Sequence, residues 1–161
     1  QEKIAASYAN LHIVIARSFN HTGPGQPPKF ACPSFAMQVA RIEHNLQEPV
    51  IKHGDLSIRR DFSDVRDVVR AYKLLAEKGK KHNIYNVCSG KSYSMKEILA
   101  LLMSMSSVNI KTEEDPALVR PTDIPELVGS NAKLCKDTGW GPAIEFKQTL
   151  KDMLEYWRKK V

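Results

Sequence analysis

Cysteine is scarce in this chain: among 161 residues only Cys32, Cys88 and Cys135 occur. They are far apart, with no Cys-x-x-Cys pair and no histidine cluster beside them, so neither a zinc site nor a disulfide framework is expected. Reduced, buried thiols and a cytoplasmic location are. Long apolar runs are missing too. None approaches the roughly 18 residues of a membrane span, and no signal peptide is visible. The chain has no Gly-x-Gly-x-x-Gly turn, so the cradle that holds a dinucleotide pyrophosphate is not expected here. It has no nucleophile elbow, no metal-ligand spacing, no internal repeat and no low-complexity tract. Tyr156 and Lys160 stand four apart, but in a basic tail away from any ligand loop, and the spacing reads as chance.

What is present is an ordinary globular composition, 42% hydrophobic and 26% charged, enough for one domain with a sizeable core. The net charge of +6 is spread along the chain. Its densest clusters, Lys78-Gly79-Lys80-Lys81 and Arg158-Lys159-Lys160, fall at expected helix ends, where cations favour the negative end of the helix dipole. No nucleic-acid motif accompanies them, so neither nucleic acid nor membrane is expected as a partner. The opening Gln1-Glu2-Lys3-Ile4 reads as mid-helix, as though the chain had been cut there.

Strand and helix patterns alternate, which implies an α/β class. Helical spacing covers residues 1–9. The β-branched run 12–17 is a strand, followed by a Gly/Pro-rich loop, the place where α/β sheets put ligands. A helix is expected over 33–46, short strands over 49–52 and 58–62, and a turn over 53–55. Ser63 is expected to cap a helix through Lys78, with Val65, Val68, Val69, Tyr72 and Leu75 on one face. Residues 84–88 form a strand, Ser89-Gly90 a turn, and Ser94 with Glu97 a capping box. A strand over 108–112 precedes a loop over 113–130. A short helix follows from Asn131 to Thr138, then a break at Gly139. The last helix runs from Phe146 to Arg158, with Leu150, Met153, Leu154 and Trp157 inward.

Three constellations could carry chemistry. Asn20-His21 sits in the Gly/Pro loop, where amide and imidazole could read a sugar hydroxyl or a cofactor amide, or merely stabilise the loop. In Arg59-Arg60-Asp61 strand alternation sends the two arginines to opposite faces, one able to grip phosphate, although on these residues alone a surface Arg–Asp pair is the favoured reading. Arg120-Pro121-Thr122-Asp123 sets a guanidinium near a carboxylate in a long loop, fit for a diphosphate and a ribose diol or simply solvated.

Taken together, ARSFNHTGPGQ (16–26), RRDFSDVRDVVRAY (59–72), YNVCSG (85–90), RPTDIPELVGSNAKL (120–134), TGWGP (138–142) and TLKDMLEYWR (149–158) resemble the extended short-chain dehydrogenase/reductase family. The likeness is to its GDP-mannose 4,6-dehydratase and GDP-4-keto-6-deoxy-D-mannose reductase branches. The segments span nearly the whole chain in the family's order. The resemblance implies the carboxy-terminal, substrate-binding part of a Rossmann-type enzyme. Residues 1–30 would be the tail of the catalytic helix and a late Rossmann strand with its ligand loop. Residues 31–161 would be mainly the substrate-binding domain.

The resemblance also implies roles. Asn20 would contact the hexose or its phosphate, and His21 the nicotinamide of NADP or NAD, held mainly by an upstream half that carries the glycine-rich turn and the catalytic Tyr-x-x-x-Lys. Arg60 and Arg120 would hold the diphosphate and Asp123 the ribose, with Gln38 and Arg41 bordering the base and sugar pocket. The implied ligand is a nucleotide-diphosphate sugar, GDP-linked by preference, and the whole protein a homodimer or homotetramer. Asn20-His21-Thr22-Gly23-Pro24-Gly25-Gln26 lacks the arginines of the dehydratase loop and looks like the reductase pattern. A dehydratase or epimerase is the alternative within the family; a non-catalytic nucleotide-sugar binding module is the alternative outside it.

Overall fold

The computed structural model describes residues 2–119 and 124–161. A short helix, α1 (Glu2–Ala6), leads to β1 (Ile15–Ser18) and, after one residue, β2 (Asn20–Thr22). Then come α2 (Ala31–Glu43), β3 (Val50–His53), β4 (Arg59–Asp64), α3 (Val65–Lys78), β5 (Ile84–Val87), β6 (Ser92–Ser94) and α4 (Met95–Met103). The chain finishes with β7 (Lys111–Glu114), a 3₁₀ turn (Pro116–Leu118), β8 (Glu126–Leu127), α5 (Ala132–Thr138) and α6 (Phe146–Arg158). The α/β class read from alternation holds.

The strands form small sheets. β1 pairs with β5 in parallel, Ile15 opposite Ile84 and Ser18 opposite Val87. β4 is the hub of the second sheet: its end pairs in parallel with β2, and its start with β6 antiparallel and β8 parallel. β3 and β7 form a parallel pair, with Val50 opposite Lys111. β2, β6 and β8 are too short, at three, three and two residues, to show a period of two in sequence. The strand expected over 108–112 starts instead at Lys111 and is exposed throughout, so only Ile110 of the apolar run turns inward.

Two apolar cores result. The larger lies among α2, α4 and α6, where Phe35, Val39, Ile98, Leu102, Leu150 and Met153 are buried with Ile51 of β3. Arg158 closes it with a bidentate grip on Glu43, 2.7 Å from Nε and 2.6 Å from Nη2. Trp157, expected inward, is only partly buried against it. The smaller core joins α3, β5 and α5 through Val68, Ala71, Tyr85, Leu134 and Trp140.

Two details of α3 differ from the sequence reading. Its cap is Asp64, not Ser63: β4 runs on to Asp64, whose carboxylate accepts from Arg66 N at 2.7 Å. Its buried stripe is Asp67, Val68, Ala71 and Leu75, while Val69 and Tyr72 are 59% and 45% exposed. Trp140 is the cause, since its indole Nε1 donates to the Asp67 carbonyl at 3.0 Å and draws that side of the helix inward. At Ser94 the expected capping box is present in full.

Candidate functional site

The junction of β1 and β2 is where the chain changes sheets. Ser18 pairs across to Val87, Phe19 N donates to the Val87 carbonyl at 2.9 Å, and one residue on Asn20 pairs with Phe62 of β4. Such a switch between parallel strands opens a crevice at their carboxyl ends. An open cleft of about 440 Å³ lies there, lined among others by Asn20, His21, Gln26, Phe30, Cys32 and Phe62. The sequence-expected loop thus begins as strand β2 and forms one wall; the start of α2 forms the other.

The wall is braced from within. Thr22, 2% exposed, donates its hydroxyl to Gln26 Oε1 at 2.6 Å, and Gln26 Nε2 donates to the His21 carbonyl at 3.3 Å. Gly25 completes the loop at φ +87°, a conformation that favours glycine. His21 Nδ1 stands 3.1 Å from the Phe19 carbonyl, which can only accept, so Nδ1 carries the proton. In that tautomer Nε2 is an acceptor. Asn20 and His21 are both exposed beside it. Cys32 contributes no nucleophile, because burial pushes its thiol up to about 12.

The two arginines of β4 have different surroundings. Arg59 is tied to carboxylates, 3.1 Å from Glu97 and 3.4 Å from Glu126, and donates to the Ser92 carbonyl at 3.1 Å. Arg60 Nη1 donates to carbonyls, 2.7 Å to Arg59 and 3.4 Å to Pro125. Pro125 belongs to the segment that β8 lays along β4, with Arg59 opposite Glu126 and Arg60 opposite Leu127. Arg120 and Asp123, the other two members of the expected diphosphate and ribose set, lie outside the described residues.

Gln38 and Arg41 are not among the cleft residues. Gln38 is buried and locks α2 to β3, its Oε1 accepting from Lys52 N at 2.9 Å and its Nε2 donating to the Lys52 carbonyl at 3.1 Å. Arg41 donates to the Leu46 carbonyl at 3.3 Å. It sits about 12 Å along the helix from the cleft end, at 1.5 Å rise per residue.

Three carboxylates whose buried bonding sequence reasoning did not reveal hold this region together. Asp61, 1% exposed, accepts from Ser89 N at 2.8 Å, Ser89 Oγ at 2.7 Å, Gly90 N at 2.9 Å and Gly129 N at 3.2 Å. It is no partner in a surface Arg–Asp pair. Asp64 accepts from Thr149 Oγ1 at 2.7 Å and from the Arg66 guanidinium. Burial pushes its carboxyl up, but these bonds outweigh that and hold it below the ordinary value. Asp67 accepts from Ala143 N and Ile144 N, both at 3.0 Å. The one signal in sequence was their spacing of three along RRDFSDVRDVVR. Among the described residues no group of His, Cys, Asp and Glu could hold a metal ion, and no helix is long and apolar enough to cross a membrane.

The sequence pattern of a family described as GDP-mannose 4,6 dehydratase matches residues 2–153. The GDP-6-deoxy-D-mannose reductase of Pseudomonas aeruginosa is 40% identical over 149 residues, 92% of this chain and 49% of that protein. The structure of RMD from Pseudomonas aeruginosa complexed with NADPH superposes with a TM-score of 0.94 at 36% identity, over 99% of this chain and 54% of that one. A UDP-glucose 4-epimerase from Thermotoga maritima, solved with UDP-glucose, gives a TM-score of 0.83 at 26% identity, over 99% and 51%. The chain therefore spans about half the length of the proteins it matches.

Proposed function

The chain belongs to the GDP-mannose 4,6 dehydratase family, within the extended short-chain dehydrogenases, and from that premise we propose that it is the sugar-nucleotide-binding portion of an NAD(P)-dependent reductase. The substrate in this reading is a GDP-linked 4-keto-6-deoxy hexose. The observation that carries it is the cleft at the strand switch, where Asn20 and His21 face the start of α2. The resemblance to a GDP-6-deoxy-D-mannose reductase supports the choice of substrate.

Each role follows from a side chain's chemistry. Asn20 donates and accepts at once, which suits a hexose hydroxyl or phosphate oxygen. His21, with Nδ1–H tied to the Phe19 carbonyl, presents an Nε2 acceptor that fits the carboxamide amine of a nicotinamide. The nicotinamide, when bound, supplies the hydride that reduces the 4-keto carbon. Arg60, held toward Pro125, is assigned to the diphosphate together with Arg120, and Asp123 to the ribose. Gln38 and Arg41 support the pocket through the placement of α2. The cofactor's pyrophosphate and the proton donor are assigned to a half outside this chain. Orientation and charge neutralisation are this portion's contribution to rate. Three free cysteines agree with a cytoplasmic setting.

The test is turnover by the full-length protein. With NADPH and GDP-4-keto-6-deoxy-D-mannose, the reading expects NADPH to be oxidised in step with sugar reduction. Conversion of GDP-mannose to a keto sugar with no net loss of NADPH would instead make it a dehydratase. Binding of GDP-mannose without either reaction would leave a binding module.

A further inference from the structure

We infer that Asp61 is a positioning residue for the sugar-nucleotide site, acting on Arg60 through the 124–129 segment; the inference rests on the function proposed above. Asp61 adjoins Arg60 in sequence, yet its carboxylate turns the other way, into a pocket of donors. Two backbone amides of the turn after β5, Ser89 N and Gly90 N, and the amide of Gly129 all donate to it. A buried carboxylate is retained only where such donors replace its water. Here they come from two segments distant in sequence, which Asn131 also ties together by donating to the Cys88 carbonyl at 2.9 Å.

The consequence runs outward to Arg60. Gly129 follows β8 by two residues, so fixing its amide fixes the register in which Leu127 lies opposite Arg60. That register brings the Pro125 carbonyl to Arg60 Nη1 and also to Arg59 N, at 2.8 Å. The guanidinium is thereby oriented before any ligand arrives. Position 129 admits no side chain, because a Cβ there would meet Cys88 Sγ at 2.6 Å and Phe19 Cζ at 2.7 Å.

The experiment compares wild type, Asp61→Asn and Ser89→Ala in the full-length protein. Asn keeps the shape but sets an amide against backbone donors; Ala at position 89 removes the hydroxyl that donates to Asp61 and bonds Lys91, and leaves the three backbone amides in place. For Asp61→Asn we expect KM for GDP-4-keto-6-deoxy-D-mannose to rise about tenfold, the size of one weakened charge-assisted contact. KM for NADPH should stay unchanged. With nitrogen-15-labelled arginine, the Arg60 Nε–H resonance should lose its dispersion in Asp61→Asn and partly in Ser89→Ala. Equal losses in kcat and both KM values, with the Arg60 resonance unmoved, would make Asp61 a structural residue and overturn the inference. A wild type that turns over no sugar nucleotide, with the Arg60 resonance still responding to Asp61→Asn, would sink the proposed function and leave the positioning role standing. If Asp61→Asn fails to fold, Ser89→Ala decides: an unchanged Arg60 resonance and unchanged KM would overturn the inference.

Discussion

Arg59 and Arg60 are adjacent and identical, and their surroundings separate them. Carboxylates of Glu97 and Glu126 neutralise the first, while the second is steered by the carbonyls of Arg59 and Pro125. A guanidinium is suited to a fork-like grip on an anion. Replacing Arg60 by Ala should therefore weaken GDP-sugar binding by roughly 10- to 150-fold, the range for one charge-assisted contact, with NADPH binding unchanged. Calorimetric titration of both ligands checks it, and Arg60→Lys should recover only part, since an ammonium cannot bond bidentately. That the two arginines of this pair would have different surroundings was legible in sequence from strand alternation. The fate of Asp61 was not: its donors lie 28 or more positions away, and nothing local announces them.

Helices α2 and α6 are joined at their ends by Glu43 and Arg158, and the pair sets a pH window. The Arg158 guanidinium, opposed by burial, holds the Glu43 carboxyl below its ordinary value of 4.5. A depressed folded pKa contributes stability that is fully present above the unfolded value and is lost as pH falls through the folded one. Urea midpoints should thus fall as pH drops past 4.5, and Glu43→Gln should show a shallower fall from a lower starting point. At neutral pH the variant should be less stable by roughly 1.5–3 kcal/mol, the range for a hydrogen bond to a charged group. Equal slopes for both proteins would refute the assignment. Elements of this length were the readable part of the fold: α6 matched its expected ends, and α2 was displaced by two or three residues. The face of α3 misled, because Val69 and Tyr72 continue a good helical stripe while Trp140, from a distant turn, decides which side is buried. The short strands beside β4 were invisible, since their reason to extend is the partner rather than their own composition.

On the scale of the molecule, the parallel β1–β5 pair is a sheet with an open side. β1 pairs only with β5 among the described residues, and Ala16 and Arg17 on it are exposed. Tyr8, Leu11 and Val69 leave apolar surface exposed as well. Unpaired strand edges beside apolar surface promote association. The 161-residue chain produced alone should therefore self-associate with rising concentration, as read by sedimentation velocity. Linking it to the other half found in its longer relatives should abolish the effect. A single monomeric species at every concentration would count against it.

The carboxylates at 61, 64 and 67 also set an order of events during synthesis. All three emerge from the ribosome long before Gly129, Ala143, Ile144 and Thr149, which complete their bonding. Until those arrive, burying this stretch would leave these charges short of donors, so the region has to wait, hydrated and open to proteases, for nearly the whole chain. A nascent chain stalled with residue 140 just outside the exit tunnel should be cleaved readily between α2 and α4. One with the whole of α6 released should resist cleavage there, because by then each carboxylate has found its distant half.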